Sequence, residues 1–439
     1  MRETAMPEDQ VTPATNIPKP LKEVALYKGS KNVAELNGNG DPLGMVRKDV
    51  ADVINSKNLA FLIGSGASSS RGAEGQELGI PTMQPMAAGL LAATEGAHFV
   101  SAEDRAALKS SLGVDLDDAV YRANIEALMD VLLGYRFTLG KSDLPTSTDT
   151  LKVVDRVIGN ATGYILEACL KGAFSTGDDT VLRTYEQFYR RIVQRDRSLP
   201  RPWIFTTNYD LFSETAMDRL GIPYINGFQG SIERRFNPAV FRYALSEQLD
   251  IANRKWSSVD SLVYFAKLHG SVAWESRDDG LFPVVETHPK LIDKKHLLIY
   301  PTPAKQNASF ASPYSDMFRE FQTRVARDQS ALITLGYGFG DEHVNNIIFQ
   351  ALTIPTFRLV AFVNPSANDM IKKLRALDDP RIWLIGTEDA EADWKGHYFA
   401  NFVEEFLATE GEDASNLAIQ RVVDQLINRV VQAPKNTDE

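Results

Sequence analysis

Seven short runs of nearly unbroken aliphatic and aromatic residues govern what this chain can fold into. They are residues 59–63, 203–206, 262–265, 297–300, 331–335, 359–363 and 382–385. Most are too apolar to leave one face in water, the pattern of parallel strands covered on both sides by helices. Helical spacing separates several of them, as over residues 317–327 and 343–352. The chain therefore reads as an α/β protein built on a doubly wound parallel sheet of six or seven strands.

The stretch between the first run and the second does not read as strand. Residues 102–112, 123–133, 151–170 and 181–193 carry apolar side chains at i, i+3, i+4 spacing, which predicts a large helical module inserted into the sheet. An insertion of this kind often walls one side of a ligand cleft. Arg190, Arg191, Arg195, Arg197 and Arg201 gather where the module returns to the sheet. They read as a solvated face, with an anion or partner site as the alternative.

Charge and cysteine content narrow the function. The 439 residues hold 47 Lys and Arg against 58 Asp and Glu, a net charge of −11, which argues against general binding to nucleic acid or anionic membranes. The single cysteine, Cys169, excludes an internal disulfide and a four-cysteine zinc module. Its apolar neighbours predict a buried, inert thiol. The start carries neither an apolar signal core nor an Arg-rich transit pattern, and no long apolar run follows, so a soluble, cytoplasmic protein is expected. Residues 1–40 read as a flexible lead-in and 416–432 as an amphipathic helix with an apolar stripe.

Polar segments follow the strand-like runs, where an open α/β sheet collects its ligands. Gly64, Ser65, Gly66, Ala67 and Ser68 form either a phosphate cradle or a tight turn; Ser69 stands where a dinucleotide fingerprint has its third glycine. Thr206, Thr207, Asn208, Tyr209 and Asp210 are either ligand contacts or caps of the next helix. His269 follows the 262–265 run. Gly336, Tyr337, Gly338, Phe339 and Gly340 precede Asp341, which reads as an N-cap or a ligand contact. Asn364 begins a turn or meets a ribose. One cleft would collect all five segments.

The order of these motifs resembles the sirtuin family: GSGAS at 64–68, GIP at 79–81, TTNYD at 206–210, LHGS at 268–271, GYGFGDEH at 336–343 and VNPS at 363–366. More closely, the chain is similar to the sirtuin-like NAD+ hydrolases of bacterial anti-phage defence, over roughly residues 43–390. The resemblance implies a Rossmann-like NAD-binding domain at 41–84 and 200–400, an inserted helical module at 85–199 and a C-terminal helical segment at 401–439. It places the diphosphate against the 64–68 loop and the nicotinamide ribose near Asn208. Asp210 matches the acidic residue that follows, and His269 the catalytic histidine. Thr207, Gly336, Tyr337, Gly338 and Asn364 are placed along the nucleotide.

Departures from the deacylase pattern set the expected reaction. No cysteine follows His269, and Thr82-Met83-Gln84 replaces the Asp-Phe-Arg of deacylases. NAD+ is therefore expected as substrate, cleaved by water to nicotinamide and ADP-ribose, with no metal required. Asn208 would orient water or the ribose hydroxyls, neutral His269 would accept a proton, and Asp210 would hold local geometry or favour the developing cation. The resemblance further implies a regulated effector that depletes cellular NAD+, held in check by oligomerisation or by a partner such as a HerA-type ATPase or a nucleotide-sensing subunit. Protein deacylation and non-catalytic sensing of NAD+ or ADP-ribose are the alternatives.

Overall fold

A computed structural model describes residues 22–407 apart from 38–39, 72–76, 144, 175–177, 251–254, 278–281, 290–296 and 300–311. Nine strands form the main sheet. In chain order they are β1 Ala25–Lys28, β2 Lys31–Asn32, β3 Asn58–Ile63, β4 Trp203–Thr206, β5 Tyr224–Ile225, β6 Val263–Lys267, β7 Ser330–Leu335, β8 Arg358–Phe362 and β9 Ile382–Gly386. Their spatial order is β2-β1-β9-β8-β7-β3-β4-β6-β5. All neighbours run parallel except β1, which is antiparallel to both β9 and β2. The chain leaves β3 to one side and later returns to its other side at β7, which makes the C-terminal ends of these strands a topological switch point.

Register aligns the strand ends. Leu335, Ile63, Thr206 and Lys267 stand side by side across β7, β3, β4 and β6. The residues that follow each of them therefore emerge along one edge. Alternation along β3 divides the core: Leu59, Phe61 and Ile63 face one layer of helices, while Ala60 and Leu62 face the other.

The helices of eight or more residues are α1 Pro42–Ile54, α2 Met83–Ala92, α3 Ala102–Leu112, α4 Ile125–Leu139, α5 Pro145–Phe174, α6 Thr180–Ile192, α7 Phe212–Leu220, α8 Tyr314–Val325, α9 Glu342–Ala351, α10 Asp369–Ala376 and α11 Phe399–Phe406. Five of them, α2 to α6, lie between β3 and β4. Leu108, Leu128, Leu132, Val154 and Val157 form a core local to this insertion. Its last helix joins the sheet instead: Tyr185, Phe188, Tyr189 and Ile192 pack in the main core, with Phe188 edge-on to Phe61 at 5.3 Å. Packing thus crosses the expected boundary at residue 199. Helix α11 covers the same face, where Phe402 lies 4.7 Å from Phe362.

Several expectations need correction. The lead-in expected to be flexible contains β1, whose Leu26 is fully buried against the sheet. Residues 1–21 and the helix expected at 416–432 lie outside the described residues. The run at 297–300 does not join the main sheet. Leu297–Ile299 pairs with Gly270–Ser276 in a separate antiparallel sheet with Val284–Glu286, Arg234–Phe236 and Phe228–Gln229. Nor is the basic run simply a solvated face. Arg195 is buried and donates to the carbonyls of Ile54, Ser56, Lys57 and Pro200, while Arg191 reaches the carbonyls of Val403 and Leu407.

Candidate functional site

At the switch point the first two glycines meet backbone, not open space. Gly66 N donates to Gly336 O at 3.0 Å, and Gly64 N to Leu335 O at 2.9 Å. A Cβ on Gly64 would stand 2.6 Å from Gly336 O, and one on Gly336 would stand 2.3 Å from Ala67 N. Gly336 also has φ of +61°, the left-handed region that glycine adopts most readily. These glycines join the 64–68 and 336–340 loops to each other. Gly338 and Gly340 have open space around their Cα atoms.

Ser68 anchors the next segment. It is 1% exposed, and its single hydroxyl proton goes to Asp210 Oδ2 at 2.7 Å. The hydroxyl oxygen accepts from Asn208 Nδ2 at 2.9 Å. With that proton committed, the 2.9 Å contact to Tyr185 makes the phenol the donor; burial raises the Tyr185 pKa and keeps its proton in place. Asn208 Nδ2 also donates to Gly64 O at 3.1 Å, so both amide protons are committed and Oδ1 is left without a partner. Asp210 Oδ1 accepts from Phe212 N at 3.0 Å, at the start of α7. Both Asp210 oxygens are therefore engaged within the protein.

His269 lies across the cleft. Its Nε2 is 2.6 Å from Asp341 Oδ2. This carboxylate is the partner of Nε2, and the two form an ion pair when the imidazole is protonated. Burial alone would lower the His269 pKa, but the Asp341 carboxylate outweighs it and the net shift is upward. For Asp341, burial pushes upward and the imidazolium pulls harder downward, leaving its pKa below the ordinary value. Asp341 performs both of the roles open to it from sequence, since Oδ1 caps α9 through Val344 N at 3.0 Å.

Beneath the loop lies a buried ion pair absent from the sequence reading. Lys267 ends β6 two residues before His269, and its Nζ reaches Glu214 Oε1 at 2.7 Å and the carbonyl of Asp210. Burial pushes the Glu214 carboxyl up to about 7, against the opposing pull of Lys267. The inserted helices reach the same loop: Tyr209 donates to Glu126 Oε1 at 2.6 Å.

A cleft of about 320 Å³ opens among these groups. Of the residues expected at the site, Ser65, Ser68, Thr207, Asn208, Asp210, His269, Gly336, Tyr337 and Gly338 line it. Gly64, Gly66 and Ala67 do not, because they form the seam between the loops. Asn364 is also absent from the lining; its amide donates to Glu388 O and its Oδ1 accepts from Ser366 N. The Tyr337 hydroxyl is turned to Asn345 at 2.9 Å. Sequence reasoning missed Glu126, Met83 and Met86 on the inserted side, all three in the lining. It placed Cys169 in an apolar environment, where burial does push the thiol up, and the residue nonetheless borders the cleft.

Residues 202–382 match the family model described as a SIR2-like domain. The chain carries a SIR2-like domain. No curated protein matches it. The match covers less than half of the chain and supports a sirtuin-like, NAD-related function. Asn208, Asp210, Lys267, His269 and Asp341 all fall within the SIR2-like segment, whereas the 64–68 loop and the inserted helices lie before it. Among the described residues no helix is long and apolar enough to cross a membrane.

Proposed function

We propose that the cleft binds NAD+ as substrate and cleaves its nicotinamide–ribose bond with water. The observation that carries this reading is a buried polar atom without a partner, Asn208 Oδ1, in the same cleft lining as the His269–Asp341 pair at the C-terminal edge of the sheet. Buried polar atoms normally find a hydrogen-bond partner, so the unpartnered Asn208 Oδ1 in this lining favours a polar ligand in the cleft. The open backbone at Gly338 and Gly340 suits close approach of the nucleotide, and Met83 and Met86 offer an apolar wall to the nicotinamide ring.

The bond breaks through a state with positive charge on the ribose, and nicotinamide leaves as a neutral molecule. The protein must then place water and stabilise that charge. Asn208 is fixed as an acceptor and can hold a water proton or a ribose hydroxyl. Its neighbour Asp210 acts through geometry, since Ser68 and Phe212 occupy its oxygens. His269 accepts a proton only in its neutral form, which the pairing with Asp341 moves to higher pH. A positioned base is worth about 10²–10⁴-fold in rate.

Domain assignments follow the same reading: a SIR2-like sheet domain interrupted by helices that wall its cleft. A role as a defence effector that depletes NAD+, oligomerisation, and control by a HerA-type ATPase or a nucleotide-sensing subunit rest on the family resemblance. The test is nicotinamide release from NAD+ by the purified chain beside Asn208→Ala and His269→Ala. Release without an acylated peptide, lost in both variants, supports the hydrolase. Release that survives both substitutions overturns it.

A further inference from the structure

A larger cavity, about 450 Å³, lies at the opposite end of the sheet. It opens beside Asn58, Trp203 and Tyr264, near the N-terminal ends of β3, β4 and β6. These same strands carry the cleft residues at their other ends. Four arginines line it, Arg201, Arg242, Arg324 and Arg327, and among the described residues no acidic one does.

One of the four guanidinium groups is neutralised. Arg324 pairs with Glu320 at 3.0 Å and lies over the Trp203 ring at 4.2 Å. Arg201 donates to the carbonyls of Asp196, Arg197, Leu199 and Asp260, and Arg327 to Thr323 O at 3.0 Å. Neither meets a carboxylate among the described residues, and neither does the exposed Arg242. Burial and the neighbouring Arg324 lower the Arg327 pKa, with Glu320 opposing them. In a chain of net charge −11, three arginines without a salt bridge among the described residues gather around one cavity. An anion there would pair with them, and a guanidinium fork matches phosphate geometry.

We propose that this cavity is a second ligand site, which takes a small phosphorylated anion on Arg201, Arg242 and Arg327. Its volume lies in the range of small-molecule sites and exceeds what a lone phosphate fills. The site is independent of the reaction assigned to the cleft, because the two open at opposite ends of the strands.

The test is calorimetric titration of the full chain with pyrophosphate and, separately, with ATP in phosphate-free buffer. The comparison is an Arg242→Gln/Arg327→Gln variant, which removes no ion pair seen among the described residues and leaves the cleft intact. Binding to the wild type is expected, weakened by about tenfold or more in the variant, with the response to NAD+ unchanged. Stronger binding of ATP identifies a nucleotide source, and equal binding identifies the phosphate group alone; both support the site. The proposal is overturned if neither anion binds at millimolar concentration, if the variant binds as well as the wild type, or if only an oligonucleotide binds.

Discussion

The hydroxyl of Ser68 donates to the carboxylate of Asp210 at 2.7 Å, and both side chains are buried. Through this contact the loop after β3 fixes the loop after β4, and with it the orientation of the Asn208 amide. Replacing Ser68 by Ala removes one donor and two acceptor positions at once. Asp210 Oδ2 then loses its proton donor in a buried setting, at a cost of about 1–3 kcal/mol. Urea unfolding of Ser68→Ala is expected to show that loss together with a fall in kcat for nicotinamide release. An unchanged midpoint and unchanged turnover would mean that Ser68 does not hold the two loops in register.

Pairing of His269 with Asp341 predicts a definite pH dependence. His269 has a folded pKa above its ordinary 6.5, so its contribution to stability is full below 6.5 and is lost as pH rises through the folded value. Asp341 has a folded pKa below its ordinary 3.8, so its contribution is full above 3.8 and is lost as pH falls through the folded value. The stability difference between wild type and Asp341→Asn should therefore be largest between those ordinary values and shrink on either side. In the pH–rate profile, Asp341→Asn should move the rising limb toward lower pH, because neutral His269 then forms more readily. A limb that stays in place would mean another group supplies the base.

Sequence legibility followed burial. Six of the seven parallel strands were plain because each is largely buried and hence apolar, whereas the two-residue edge strand β5 was not. The small antiparallel sheet was not, because Phe228–Gln229, Arg234–Phe236 and Val284–Glu286 are too short to show any period. Strand β1 was hidden by the polar stretch before it. Asn208, Asp210 and His269 each follow a legible strand, and the structure brings them to the lining of one cleft. Asp341 was harder to assign, since capping alone accounts for an acid at that position and only the fold brings His269 beside it. Asn364 stays outside that lining: β8 ends in a polar turn, but it lies one strand beyond the switch point.

Lys267 and Glu214 form an ion pair buried beneath the loop. Lys267→Met should destabilise the chain by about 3–5 kcal/mol, since it breaks a buried pair from one side. Glu214→Gln should cost much less, because burial already pushes that carboxyl toward its neutral form. A double-mutant cycle measured by denaturant unfolding gives the coupling. Equal costs for the two single substitutions would contradict the asymmetry.

Tyr209 ties the loop after β4 to the inserted helices through Glu126. Tyr209→Phe deletes one charge-assisted hydrogen bond, worth about 1.5–3 kcal/mol at most, and keeps the ring. Hydrogen exchange should report faster opening of α4 in this variant, with a raised KM for NAD+. Unaltered exchange in α4 would show that the insertion docks by other contacts.

The seam of Gly64, Gly66 and Gly336 has a consequence for redesign. Because the two loops meet backbone to backbone, the seam itself offers no room for a side chain, and any substituent there must part the loops. Met83 and Met86 stand on the opposite wall with flexible, unbranched side chains. A library aimed at new ligands gains its diversity from these residues, while the seam keeps the alignment of the strand ends intact.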